Sequence, residues 1–177
     1  CQWLSNGKAY YPVYNFPKLT KENVFTMFDI PEDKHNKFYY DERSLPNDFN
    51  FNDYDSSEIM LEREAFSIAG AGYSVLPLKT KSEIIFANER YLKPFSDMEQ
   101  IELYLRKNNT DVPYIAVKNG MLLVGIIMPS DIISERFLKN LESLYEMTFD
   151  AYRKKKEHKE RSEHYQYSLN EAEKTNV

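Results

Sequence analysis

Cysteine is all but missing from this chain. Its single Cys is residue 1, so no intrachain disulfide can form and cysteine gives no sign of an oxidising compartment. Histidine is nearly as scarce: only His35, His158 and His164 occur, without His-x-x-x-His or Cys-x-x-Cys spacing. A zinc site built from a local motif is therefore not expected. The five glycines make neither a G-x-x-x-x-G-K-[ST] phosphate loop nor a G-x-S-x-G nucleophile elbow. No apolar run approaches the roughly 20 residues that cross a bilayer. Positive charge is not in excess either. At a net charge of -5, the molecule as a whole has no broad attraction for nucleic acid or anionic lipid. The expectation is a non-enzymatic, soluble, cytoplasmic protein with no metal and no resident cofactor, binding neither membrane nor nucleic acid directly. Cys1 has no Met before it, which fits a trimmed chain; the alternative is a lipid-carrying Cys on an anchored surface protein.

What the chain does have is material for a core. Of 177 residues 42% are hydrophobic, with 14 Tyr and 11 Phe, and a chain of this length can bury enough surface to fold alone. Residues 1–152 read as a single globular domain, and 153–177 as a charged helical extension with a disordered tail. Charge is uneven. From Asp29 to Glu64, 11 acidic residues face four basic ones, whereas Arg153 to Arg161 carries six basic residues against two acidic. Such polarity suits an acidic face meeting a basic partner, or a basic helix meeting an acidic one.

Turn and cap residues place the elements. Asn6-Gly7 and Asn119-Gly120 separate apolar runs, a strong hairpin signal, because both residue types tolerate the positive φ of a type I′ turn. Thr20 is placed to cap a short helix, "KENVFTMF", with Leu19 packing on Val24 and Pro31 as the stop. Residues 31–57 read mostly as loop. A helix is expected from about Ser57 to Ala69, where Met60, Leu61, Ala65 and Ile68 share a face, capped by Asp55 or Ser56 and ended by Gly70 and Gly72. "SEIIFANERYL" reads as a strand. "SDMEQIELYLRKNN" reads as a helix over 97–107, opened by a capping box of Ser96 and Glu99. From Ser130 a last helix carries a stripe of Ile133, Phe137, Leu141, Leu144, Thr148 and Tyr152. The predicted fold class is α+β: a small mixed sheet with an Asn-Gly hairpin over 113–127, packed by helices, and a long C-terminal helix. The stripe also predicts a homodimer seam through 131–152.

Two stretches have the outline of ligand loops without the residues such loops need. "GAGYSV" offers two glycines of a dinucleotide loop, but Val75 takes the third place and Pro77 breaks the helix that would receive the phosphates. In "NDYDSSEIMLERE", Asp53, Asp55, Ser57 and Glu64 fit the ligand spacing of a calcium loop, yet Glu58 stands where the sharp turn needs Gly.

The stretch "VPYIAVKNGMLLVGIIMPSDII", with "DMEQIELYLRKNN" before it, resembles a single cystathionine-β-synthase-type (CBS) repeat over residues 84–138. The residues that carry the likeness are Val112-Pro113-Tyr114-Ile115 and Gly125-Ile126-Ile127-Met128-Pro129-Ser130-Asp131. The resemblance implies a β-α-β-β-α arrangement and a regulatory domain sensing an adenosine nucleotide, Asp131 holding a ribose and Ser130 assisting at phosphate. The same residues also read as plain scaffold. "YIAV" and "MLLVGII" suit strands buried on both faces, Gly125 permits a bulge, and Ser130 or Asp131 can cap the last helix. The function expected first is protein–protein contact through the acidic, Tyr-rich segment 38–55, with Tyr39, Tyr40, Asp41, Asp53, Tyr54 and Asp55 as the candidate surface. Nucleotide sensing is the second reading, and an acidic inhibitor that mimics nucleic acid is the third.

Overall fold

The computed structural model describes the backbone of residues 1–70, 72–131 and 134–174. The chain divides into two compact units, Cys1–Ser130 and Asp131–Val177. The architecture is α+β, as composition and patterning predict.

In the first unit, strands alternate their side chains between two apolar faces, and that alternation builds the core. One sheet has the order β1 (Gln2–Ser5), β2 (Ala9–Val13), β10 (Leu122–Ile127), β9 (Pro113–Asn119), β8 (Ile101–Lys107), β3 (Ile59–Met60). A second sheet is centred on β6 (Tyr73–Lys79), which pairs with β4 (Glu62–Arg63), β5 (Ile68–Gly70) and β7 (Ile84–Asn88). The described pairings are all antiparallel. Leu61, buried between β3 and β4, donates its N–H to the Leu103 carbonyl at 2.8 Å. Residues 59–63 thereby leave one sheet and enter the other.

Leu103, Leu105, Ile115, Val117 and Ile127 point to one face of the first sheet and pack with Leu78, Ile85 and Ala87 of the second. The intervening positions Tyr114, Ala116, Leu123 and Ile126 form a second cluster, covered by Trp3, Tyr10, Phe49 and Phe51. Strands β9 and β10 are thus buried on both faces, which is why their sequences are continuous apolar runs. A register shift between Leu123 and Gly125 marks a bulge in β10. Glycine is required there, because a Cβ on Gly125 would overlap the buried ring of Phe95.

The first helix, α1 (Lys21–Met27), is capped as expected by Thr20, whose hydroxyl accepts from the Asn23 N–H while the Asn23 side chain accepts from the Thr20 N–H at 2.7 Å. The second unit contains α2 (Glu135–Lys174). Its start is fixed by Ser134, whose hydroxyl accepts from the Phe137 N–H and whose carbonyl accepts from the Leu138 N–H. Neither Ser130 nor Asp131 caps it. Ile133, the first member of the apolar stripe, lies outside the described residues, as do 175–177.

Three further expectations give way. The segment 97–107 is not a helix: "IELYLRK" is strand β8, with Leu103 and Leu105 inward and Tyr104 and Arg106 on the opposite face. Its period-two pattern, satisfied by pairing with β9 along seven residues, outweighs the helix propensity of Glu, Leu and Arg. Ser96, expected as its cap, donates to Asp97 instead. The helix expected over 57–69 is replaced by three short strands, and of the apolar residues in 57–69 only Leu61, between two of them, is buried. Asp55 caps a turn rather than a helix, and Gly70 and Gly72 serve the β5–β6 hairpin, with Gly72 at φ 83°. Finally, the 119–120 turn uses Gly120 and Met121 as its central residues, and only Gly120 has positive φ (58°). That pattern is of the II′ kind, not I′.

Candidate functional site

The most elaborate polar arrangement in the first unit surrounds one buried cation. Arg106 sits on the face of β8 that points away from the second sheet, and its side chain is fully buried. A buried guanidinium is tolerable only if its N–H groups find acceptors. Arg106 finds five. Nε and Nη2 donate to Oε2 of Glu58 at 3.0 and 2.6 Å. Nη1 donates to the carbonyls of Asn50 (3.2 Å) and Asn52 (2.9 Å), and Nη2 to that of Asp53 (3.1 Å). Lys118, nearly as buried, donates Nζ to the other oxygen of Glu58 at 2.9 Å and lies 5.0 Å over the Tyr104 ring. One carboxylate thus pairs with two cations from neighbouring strands, while three carbonyls of one loop close on the same guanidinium.

That loop, residues 47–58, is pinned along its length. Asn50 receives a backbone anchor by donating its N–H to the Tyr114 hydroxyl at 3.1 Å, and its side chain donates to the Tyr54 carbonyl and the Asp55 carboxylate. The Asp53 carboxylate accepts from the Leu123 N–H at 2.8 Å. Asp55 accepts from the Ser57 N–H and hydroxyl. Phe49 and Phe51 pack edge-on against Tyr114 and Trp3. The large aromatic side chain left outward on this braced loop is Tyr54, 74% exposed.

Electrostatics follow from the same contacts. Burial works to raise the Asp55 carboxyl, but the Ser57 and Asn50 donors and the nearby Arg106 charge prevail and hold it below the ordinary Asp range. Burial pushes the Tyr114 phenol up, against the Asn50 N–H and the Arg106 charge, and burial with the Glu102 carboxylate pushes Tyr104 up as well.

The candidate residues read from sequence fall into two sets. Asp53 and Asp55 hold the loop, and Tyr40 donates its hydroxyl to the Leu19 carbonyl at 2.9 Å. Tyr39 (86% exposed) and Tyr54 face outward, and Asp41 pairs with Arg43 and accepts from Tyr39. No hydrogen bond or ion pair among the described residues joins 39–41 to 53–55. Ser130 donates its N–H to the Phe86 carbonyl at 2.7 Å, and Asp131 is exposed. Where the CBS resemblance implies a helix at 97–107, the chain has strand β8. Glu58, Arg106 and Lys118 were not apparent as a site from sequence. The available signal was parity: Tyr104 and Arg106 share one face of a strand, and Lys118 belongs to the same face of its neighbour.

Among the described residues, no cluster of three or more His, Cys, Asp or Glu side chains could hold a metal, and no helix is long and apolar enough to cross a membrane. Comparisons with protein-family models, with characterised proteins and with solved structures return no match.

Proposed function

We propose that this chain is a non-enzymatic binding protein that engages a protein partner through the braced 47–58 loop, with Tyr54 as its anchor. The observation that supports this reading is the use of Arg106: all five of its bonds go to holding that loop and its carboxylate Glu58 in place. An aromatic ring carried outward on an already ordered loop loses little entropy on docking, so its contact area converts efficiently into affinity. Asp53 and Asp55 beside it favour a partner surface with basic groups around an apolar pocket. The test compares proteins retained from extract by the immobilised chain and by its Tyr54→Ala variant. A central aromatic anchor costs more than about 2 kcal/mol on truncation, so the specific partner should disappear. An unchanged set of retained proteins refutes the reading.

The surface of α2 supports a second, compatible reading: self-association through 131–152. Leu138, Leu141, Leu144, Tyr145 and Tyr152 are all exposed along one helix, and exposed apolar stripes of this kind mark interaction faces. Leu141→Glu with Leu144→Glu should shift a dimer to monomer in sedimentation equilibrium. A wild-type chain that stays monomeric at high concentration removes this reading.

A further inference from the structure

A cleft of about 500 Å³ opens in the first unit beside the two short 3₁₀ turns at Glu89–Tyr91 and Lys93–Phe95. This size lies in the roughly 300–1,000 Å³ range of small-molecule sites. Its apolar lining comes from Leu76, Leu92, Phe95 and Ile101. The floor is fixed, because the Phe95 ring is wedged against Gly125 at the β10 bulge and is 4% exposed. Its charged lining comes from Arg63, Glu89, Lys93 and Glu99.

Those four charges are not spent on each other. None of their side chains has an ion-pair or hydrogen-bond partner among the described residues. Elsewhere on the surface complementary charges do find each other: Glu64, next in the chain to Arg63, is taken by Lys79 at 2.7 Å. Two cations and two carboxylates around one apolar-walled cleft sum to zero. Such a lining opposes a dianion or a dication, whose second charge meets repulsion. It suits a neutral ligand that carries both signs apart.

We infer that this cleft binds a small zwitterion with an apolar body, of the amino-acid to short-peptide class. Its carboxylate meets Arg63 and Lys93, its ammonium meets Glu89 and Glu99, and its side chains lie on Leu76, Leu92 and Ile101. Charge-assisted bonds of this kind fix orientation while the apolar wall supplies the area term. The inference is independent of the Tyr54 loop.

The experiment titrates the full chain with leucyl-leucine, followed by calorimetry and by methyl NMR shifts of Leu76, Leu92 and Ile101. N-acetyl-leucyl-leucine and leucyl-leucine amide are the controls, each removing one charge. Arg63→Gln and Glu99→Gln are the variants; both side chains are exposed and make no described bond, so thermal unfolding should match the parent. The expected result is saturable binding at the three methyls. Each block and each variant should weaken it about tenfold, the loss of one charge-assisted contact. Absence of methyl shifts at millimolar dipeptide overturns the inference. So does equal binding of the blocked forms, or of both variants.

Discussion

Replacing Arg106 by Met is the sharpest perturbation of this structure. The substitution keeps the aliphatic stem and removes a buried charge together with five hydrogen bonds. At about 1.5–3 kcal/mol for each charge-assisted bond, the simple total reaches the whole of an ordinary domain's stability, about 5–15 kcal/mol. Two features bring it down. Glu58 keeps Lys118 at 2.9 Å, so its carboxylate is not left bare. The carbonyls of Asn50, Asn52 and Asp53 recover water if the loop lifts from the sheet. The cost should therefore be that of breaking a buried pair, about 3–5 kcal/mol. Its distribution should be local. Hydrogen exchange should accelerate at residues 50–58 and at the Leu123 amide, which Asp53 holds, while β9 amides accelerate only as far as global stability falls. Urea unfolding at neutral pH gives the first quantity and exchange mass spectrometry the second. A cost below about 1 kcal/mol, in the range of an exposed ion pair, would refute the reasoning. So would a large cost with no selective loosening of the loop.

Other substitutions probe other joints. Gly125→Ala drives a methyl into the Phe95 ring and should cost about 1–3 kcal/mol, as overpacking does; unchanged thermal unfolding would mean that the bulge yields. Because the folded Asp55 carboxyl is held low, its contribution is present above the unfolded Asp range and is lost as pH falls through the folded value. Asp55→Asn should accordingly flatten the acid limb of stability against pH, and an identical limb in the variant argues against that role. Tyr11, Tyr104 and Tyr114 titrate high, chiefly through burial. They should be the last phenols to ionise in an ultraviolet titration, and stability should fall as pH rises through them. Ionisation of all tyrosines in one step at the usual value would contradict this.

How much of this was legible in the sequence depends on the range of the interaction. Local signals held: Thr20 capped α1, the glycines at 7 and 120 marked turns, and the apolar runs of β9 and β10 became strands buried on both faces. Signals that depend on a distant partner failed. "IELYLRK" satisfies helix propensity by itself and becomes a strand only because β9 lies beside it. The 57–69 segment has helix-like spacing, but Leu61 is committed to the Leu103 carbonyl. The same reasoning applies to the site. Tyr54 could be singled out as an aromatic in an acidic loop, whereas the carboxylate that braces it lies 48 residues from Arg106 and 60 from Lys118. No local pattern encodes that closure; only the parity of alternating strands hints at it.

On the proposed function, the braced loop presents Tyr54 to a protein partner. The most direct measurement is the affinity of that partner for the wild type, Tyr54→Ala and Arg106→Met, each checked for folding. Tyr54→Ala should lose about 2 kcal/mol or more of binding, roughly thirtyfold, at unchanged stability. Arg106→Met should weaken binding as well, by releasing the loop. Wild-type affinity in the Tyr54→Ala variant would contradict it.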